Sequence, residues 1–108
     1  PKGGPMIYRV TASFREETAS DLRSELKDGS IAAQQPEGQE IVDSLRRAVR
    51  TAGGTIQWTE CCYCDPPLAH ERSTVLDRYF EEFETEAIGK HEQCEGRPFL
   101  QYLEEVPQ

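Results

Sequence analysis

Apolar and polar residues alternate near the start of the chain. Over residues 6–14, every second position is apolar, and the apolar members are Tyr8, Val10, Ala12 and Phe14. Successive side chains of a strand point to opposite faces of a sheet. The pattern therefore predicts a β-strand over 6–14 with one buried face.

Two further segments have β character. Residues 55–64 are rich in β-prone side chains, and one face of that strand would carry Ile56, Trp58, Glu60, Cys62 and Cys64. Glu60 interrupts an otherwise apolar face, which indicates either a sheet edge or a site. Weaker alternation over 83–88 predicts a third strand.

Apolar residues at intervals of three and four predict four helices. The strongest pattern covers 37–52, where the apolar positions are Ile41, Val42, Leu45, Ala48, Val49 and Ala52. Acidic residues near the start of this segment and arginines near its end match the helix dipole. Narrower stripes predict helices over 15–28 and 66–82, and a short C-terminal helix over 99–105.

Local signals mark the ends of the first helix. Ser13 and Glu16 have the Ser-x-x-Glu spacing of a capping box, which predicts that Ser13 bonds the first turn. Gly29 follows the last residue of the stripe and is the expected C-terminal stop.

The order of these elements predicts an α+β fold with a small two- or three-stranded, mostly antiparallel sheet. Two helices between the first two strands return the chain to its starting end, which favours antiparallel strands with helices on one face. A ferredoxin-like arrangement fits the order less well. A sheet this small has exposed edges and a bare face, which predicts a homodimer that covers it. Residues 1–5 lack patterning and are expected to be a flexible segment ahead of a single domain over 6–108.

Composition restricts the function classes. The chain has 108 residues, which suits one domain, with 20 acidic and 12 basic side chains and a net charge of −8. This balance argues against nucleic acid and anionic membrane surfaces as partners. No apolar run approaches the roughly 20 residues of a membrane span. The four cysteines form a poor disulfide framework, since three of them lie within four residues, and this predicts reduced thiols and a cytoplasmic location.

The cysteine cluster is the densest group of chemically active residues. One interpretation is a zinc site, since zinc takes four thiolate or imidazole ligands, and the candidates are Cys62, Cys64, His91 and Cys94. Cys-x-Cys with His-x-x-Cys is a weaker signal than two Cys-x-x-Cys pairs. A second interpretation is a reactive thiol at Cys64, just before a helix N-terminus that would favour the thiolate, with Cys61 or Cys62 as the resolving thiol and His70 as a base.

The simplest interpretation of the cluster is packing, because free cysteine behaves as a small hydrophobe. A third site hypothesis places Trp58, Glu60 and Tyr63 around a small pocket, with the Glu60 carboxylate as base or ligand anchor. The sequence carries no phosphate loop or catalytic signature. It therefore favours a non-enzymatic module without a cofactor that binds a protein partner or a small ligand, with thiol-redox or zinc chemistry as the alternative.

Overall fold

The computed structural model describes residues 6–34, 38–62 (backbone only at 62) and 72–106, and it confirms the α+β class. The helices are α1 (Ala19–Asp28), α2 (Gly38–Arg47), α3 (Asp77–Tyr79) and α4 (Phe99–Glu105). The strands are β1 (Met6–Phe14), β2 (Val49–Arg50), β3 (Ile56–Cys62), β4 (Phe80–Ala87) and β5 (Arg97–Pro98). They form one antiparallel sheet in the order β4-β1-β3-β2-β5.

The centre of the sheet is the pairing of β1 with β3. Val10 lies opposite Trp58, and Ala12 lies opposite Ile56, so both strands turn the same apolar face toward the helices. Trp58 is fully buried, and its ring lies 5.3 Å from that of Phe80 on β4. The buried residues of α1, α2 and α4 belong to the same core. The prediction of antiparallel strands covered by helices on one face is therefore confirmed in outline.

The sheet has five strands rather than the predicted two or three, because two of them contain only two residues. The predicted helix over 37–52 ends at Arg47, and Val49 then pairs in extended backbone with Gln57 of β3. Val49 also pairs with Pro98 of β5, in a stretch for which no helix or strand was predicted. Ala48 and Val49 are buried, as the helical pattern predicts, but Val49 lies in a strand rather than in a continuation of the helix. A two-residue strand is too short to show alternation.

The third predicted helix also ends early. Residues 63–71 lie outside the described part of the chain, so the start of the predicted helix over 66–82 and the end of the predicted strand over 55–64 are untested. The described part has a π-helical turn over Arg72–Leu76, then α3, and β4 already begins at Phe80. The prediction of a strand over 83–88 was therefore right in kind, but the strand starts three residues earlier.

A β-bulge explains why the helical pattern was extended through Phe80 to residue 82, where β4 has already begun. The register of β4 against β1 shifts near Glu82, whose φ of +58° is unusual for a residue other than glycine. The rings of Phe80 and Phe83 lie 6.4 Å apart, and both residues pack on the core. In a regular strand, residues three apart would point to opposite faces. Because the bulge places Phe80 and Phe83 on the same face, their spacing of three residues is the one expected of a helix.

The predicted capping box is wrong. Ser13 lies in β1, and its hydroxyl donates to Glu82 Oε1 at 2.8 Å instead of bonding a helix N-terminus. A 3₁₀ turn over Glu16–Thr18 precedes α1, which therefore begins at residue 19 rather than 15. Gly29 ends α1 with a φ of +83°, which confirms it as the stop. None of the helices formed by the described residues has the length and apolarity needed to span a bilayer.

Leu45→Ala is expected to lower the free energy of unfolding by about 2–5 kcal/mol, because Leu45 is 1% exposed in the core beneath α2. Gln39→Ala, at an exposed position of the same helix, is the control and should change it by no more than about 0.5 kcal/mol. Urea denaturation followed by Trp58 fluorescence measures both. Equal midpoints for the two variants would contradict the placement of α2.

Gly96→Ala is expected to destabilise the fold more than Gly89→Ala does. Both glycines have positive φ, so an alanine is strained at either position. A Cβ at Gly96 would lie 2.4 Å from the carbonyl oxygen of Arg50, whereas a Cβ at Gly89 meets nothing within 4 Å. The clash should lower the free energy of unfolding of Gly96→Ala by about 1–3 kcal/mol more than the substitution Gly89→Ala does. Thermal melts of the two variants make the comparison, and equal losses would mean that β2 and residue 96 are not this close.

Candidate functional site

The structure places some of the predicted site residues and leaves others untested. Tyr63, Cys64 and His70 lie outside the described residues, and Cys62 is described only as the last residue of β3, paired with Met6. Predictions that depend on these residues therefore remain predictions.

Trp58 and Glu60 lie in the core. Both belong to the helix-covered face of β3 and are at most 1% exposed. The indole Nε1 of Trp58 donates to Glu60 Oε1 at 2.7 Å, which gives the buried carboxylate an internal donor. Neither side chain lines the two cavities described below. The interruption of the apolar face by Glu60 thus marks a buried hydrogen bond between side chains two residues apart.

The opposite face of the sheet is polar and is partly covered by residues 88–96. Arg9 of β1 lies between Thr59 of β3 and Glu86 of β4 in the strand register. Arg9 forms ion pairs with Glu86 and with Glu92 from the covering segment. Thr59 Oγ1 and His91 Nδ1 share a hydrogen bond of 2.8 Å. These contacts hold the segment on the sheet and leave Thr59 only 1% exposed.

A cavity of about 380 Å³ lies between this segment and the end of α2. We call it the loop pocket, and it is lined by Arg47, Thr59, His91, Glu92, Gln93 and Cys94. His91 and Cys94, two of the predicted zinc ligands, are therefore brought to one place. Among the described residues, no group of three or more histidine, cysteine or acidic side chains is arranged to hold a metal ion.

Side chains of α2 cover the part of β3 that β2 is too short to pair with. Arg47 Nη2 donates to the carbonyl oxygen of Thr59 at 2.8 Å, and the amide of Cys61 donates to Glu40 Oε2 at 3.0 Å. The same Arg47 and Glu40 atoms lie 3.4 Å apart. This ion pair therefore takes the place of a neighbouring strand and blocks the exposed edge against pairing with other chains.

The Cys94 thiol is free, and its pKa is raised. Burial is the main cause; the charge of Glu92 adds to it, while Arg9 and Arg47 act in the opposite direction. A raised pKa favours the protonated thiol, whereas a nucleophilic cysteine needs the thiolate. The environment of Cys94 therefore disfavours thiol chemistry at this position.

A second cavity, of about 180 Å³, lies between α1, α2 and α4. We call it the helix groove. Its lining combines apolar side chains (Leu26, Val42, Leu100 and Leu103) with charged ones (Arg23, Lys27, Arg46 and Glu104). Two consecutive helices and the distant α4 thus form an apolar depression surrounded by three cations and one carboxylate.

Arg23 is the unusual residue of the helix groove. It is only 7% exposed, and its Nη1 donates to the carbonyl oxygens of Leu103 at 2.5 Å and Val106 at 3.2 Å. Its Nη2 is also buried and has no hydrogen-bond partner among the described residues. Arg23 therefore connects α1 to the end of α4 while one of its nitrogens stays unsatisfied.

Sequence reasoning missed this groove, although α1 carries a signal. Ala19, Leu22 and Leu26 form the apolar stripe of the helix predicted over 15–28, and Arg23 occupies the remaining position of the same i, i+3, i+4, i+7 pattern. An arginine inside an apolar stripe is a candidate for burial with a specific role. Arg46 is one of the arginines near the end of the helix predicted over 37–52, where a role in the helix dipole and in surface pairing is expected. Nothing local shows that α1 and α4 lie beside it.

Glu92→Gln is expected to lower the pKa of Cys94, because the Glu92 charge contributes to raising it. Glu86→Gln is the matched control, because Glu86 also pairs with Arg9 but is not one of the charges that shift the pKa of Cys94. The rate of iodoacetamide labelling at Cys94, followed by peptide mass spectrometry against pH, gives the midpoint for each protein. A midpoint for Glu92→Gln at or above that of the parent would contradict this account of the pocket.

The chain matches no family model, no curated protein sequence and no solved structure.

Proposed function

We propose that this protein is a non-enzymatic binding module and that the helix groove is its binding surface. The observation that carries the proposal is Arg23, a buried guanidinium that lines the groove and keeps Nη2 without a partner among the described residues. A buried polar group without a partner costs about 1–3 kcal/mol. A ligand that supplies an acceptor would offset this cost.

The size of the groove suits a small ligand or one anchoring group. An apolar cavity of about 150 Å³ is large enough to hold benzene. The groove, at about 180 Å³, therefore has room for a body of roughly that size on Leu26, Val42 and Leu100. A few charged groups around an apolar floor are typical of sites that bind small molecules.

The alternative function, thiol-redox or zinc chemistry, has less support. It depends on Cys64 and on the Cys62 side chain, about which the described residues give no evidence. At Cys94, burial raises the pKa of the thiol, which disfavours the thiolate. We therefore place the function in the helix groove.

The predicted homodimer is not needed for this function. The prediction rested on the exposed edges and the bare face of a small sheet, and in the structure residues 88–96 cover part of that face. Among the described residues, Met6 is the large hydrophobic side chain left exposed. A homodimer and a cytoplasmic location stay predictions, and light scattering over a range of concentrations tests the first.

The groove can be tested with a set of small aromatic fragments that are neutral, cationic or anionic. Backbone amide shifts in ¹H–¹⁵N spectra are expected to change around Leu26, Val42 and Leu100. Leu100→Glu places a charge on the groove floor and should abolish these changes. Met6→Glu, which makes the same kind of change at an exposed site, should preserve them.

The amide spectra also show whether each variant is folded. Shifts confined to the loop pocket, or no shift with any fragment, would overturn the proposal.

A further inference from the structure

The charges around the helix groove point to the chemistry of its ligand. Arg23 and Lys27 lie one turn apart on α1, Arg46 faces them from α2, and Glu104 is the single carboxylate of the lining. Three cations therefore meet one anion, in a chain whose basic side chains are outnumbered 20 to 12. This local reversal of charge favours an anionic ligand.

The cations of the groove are poorly neutralised. Neither Arg23 nor Lys27 forms an ion pair within the described residues. Arg46 lies 3.9 Å from Asp43, but its side chain is 66% exposed, and such a pair adds little stability. The positive charge is thus available to a ligand.

The free donors of Arg23 suit a carboxylate. A guanidinium is planar, carries five N–H donors and binds a carboxylate through two parallel hydrogen bonds. Nη1 is engaged with the carbonyl groups of Leu103 and Val106, whereas Nη2 is not engaged. Nη2 exposes less than 1 Å². An incoming anion would therefore first meet Lys27 and Arg46 at the rim and reach Nη2 when the Arg23 guanidinium turns toward it.

The groove also limits the charge and size of the anion. Glu104 repels a second negative charge, as does the net charge of −8. The volume of about 180 Å³ accepts a body of about the size of a phenyl ring. Polyanions such as nucleic acid carry too much negative charge and are too large for this groove.

We propose that the helix groove binds a small monocarboxylate whose body is apolar and about the size of a phenyl ring. This proposal rests on the proposed function, since it names the ligand class of the same groove. The carboxylate is held by Arg23 with Lys27 and Arg46 at the rim, and the body lies on the leucine and valine side chains of the floor.

The test compares 3-phenylpropanoate with 3-phenylpropanamide, which has nearly the same shape but no charge. Titrations followed by ¹H–¹⁵N spectra give both dissociation constants. The carboxylate is expected to bind at least about tenfold more tightly, the size of effect that one charged hydrogen bond produces. The amide is expected to bind weakly at the same amides, through the apolar floor.

Substitutions assign the preference to Arg23. Arg23→Gln should bring carboxylate binding down close to the level of the amide, with a small preference left from the rim cations, while amide binding stays unchanged. Arg46→Gln, which removes an exposed rim cation, should weaken carboxylate binding only about twofold, because exposed charges are screened. Arg78→Gln, an arginine outside the groove, is the control and should change neither constant.

Arg23→Gln could fail to fold, since Arg23 Nη1 bonds the end of α4. The parent protein then supplies the decisive measurement. The side-chain ¹⁵N–¹H signals of Arg23 should shift with 3-phenylpropanoate and stay in place with the amide.

The outcomes separate this proposal from the proposed function. Equal affinities for carboxylate and amide at the groove would overturn the ligand class and leave the binding module standing. Fragment binding at the groove without any response to 3-phenylpropanoate would also overturn the ligand class and leave the binding module standing. A peptide ending in phenylalanine that binds the groove far more tightly than 3-phenylpropanoate would overturn the small-molecule proposal in favour of a protein C-terminus. No binding of any fragment would overturn both proposals.

Discussion

The antiparallel pairing of β1 with β3 is the constraint on which the other elements depend. It places Val10 opposite Trp58, so the apolar faces of the two strands form one surface. The helices pack on that surface because they have no other way to bury their apolar stripes. The same pairing sets Arg9 beside Thr59 on the other face. Both cavities follow from this division, since the loop pocket lies above the polar face and the helix groove lies among the helices.

The helix groove exists because α4 packs beside α1 and α2 although it is far from them in the sequence. Phe99 and Leu103 are buried in the core and fix the position of α4. The amide of Phe99 donates to the carbonyl of Ala48 at 2.8 Å, which fixes its start beside the end of α2. Arg23 then bonds its last carbonyl groups. The groove is the space that remains where these three helices diverge.

The elements predicted well from sequence are those whose signal lies within a few residues. The β1 strand has four alternating apolar positions, and its observed bounds equal the predicted ones. The bounds predicted for the short C-terminal helix also match those of α4. Pairing between distant segments was not predictable. Val49 becomes a strand residue because Gln57 and Pro98 lie on either side of it. Ser13 looked like a helix cap, but the strand continues through it to Phe14.

The same distinction applies to the candidate sites. Residue chemistry directed attention to His91 and Cys94, which do share a pocket. A cavity formed by residues from 23 to 104 has no local signature, because its shape depends on how three helices meet. The position of Arg23 within an apolar stripe is the one sequence feature that indicates the helix groove.

Arg23 joins the stability of the fold to the function proposed for it. The last carbonyl groups of a helix lack intrahelical donors, and a basic side chain can supply them. Arg23 does this for α4 with Nη1, while its buried Nη2 has no hydrogen-bond partner among the described residues. A residue that served only as a cap would gain nothing from burying a second nitrogen without a partner. Because a bound carboxylate would draw on the same guanidinium that holds α4, ligand binding and the docking of α4 are thermodynamically linked: whatever occupies the groove also stabilises the helix arrangement that forms it.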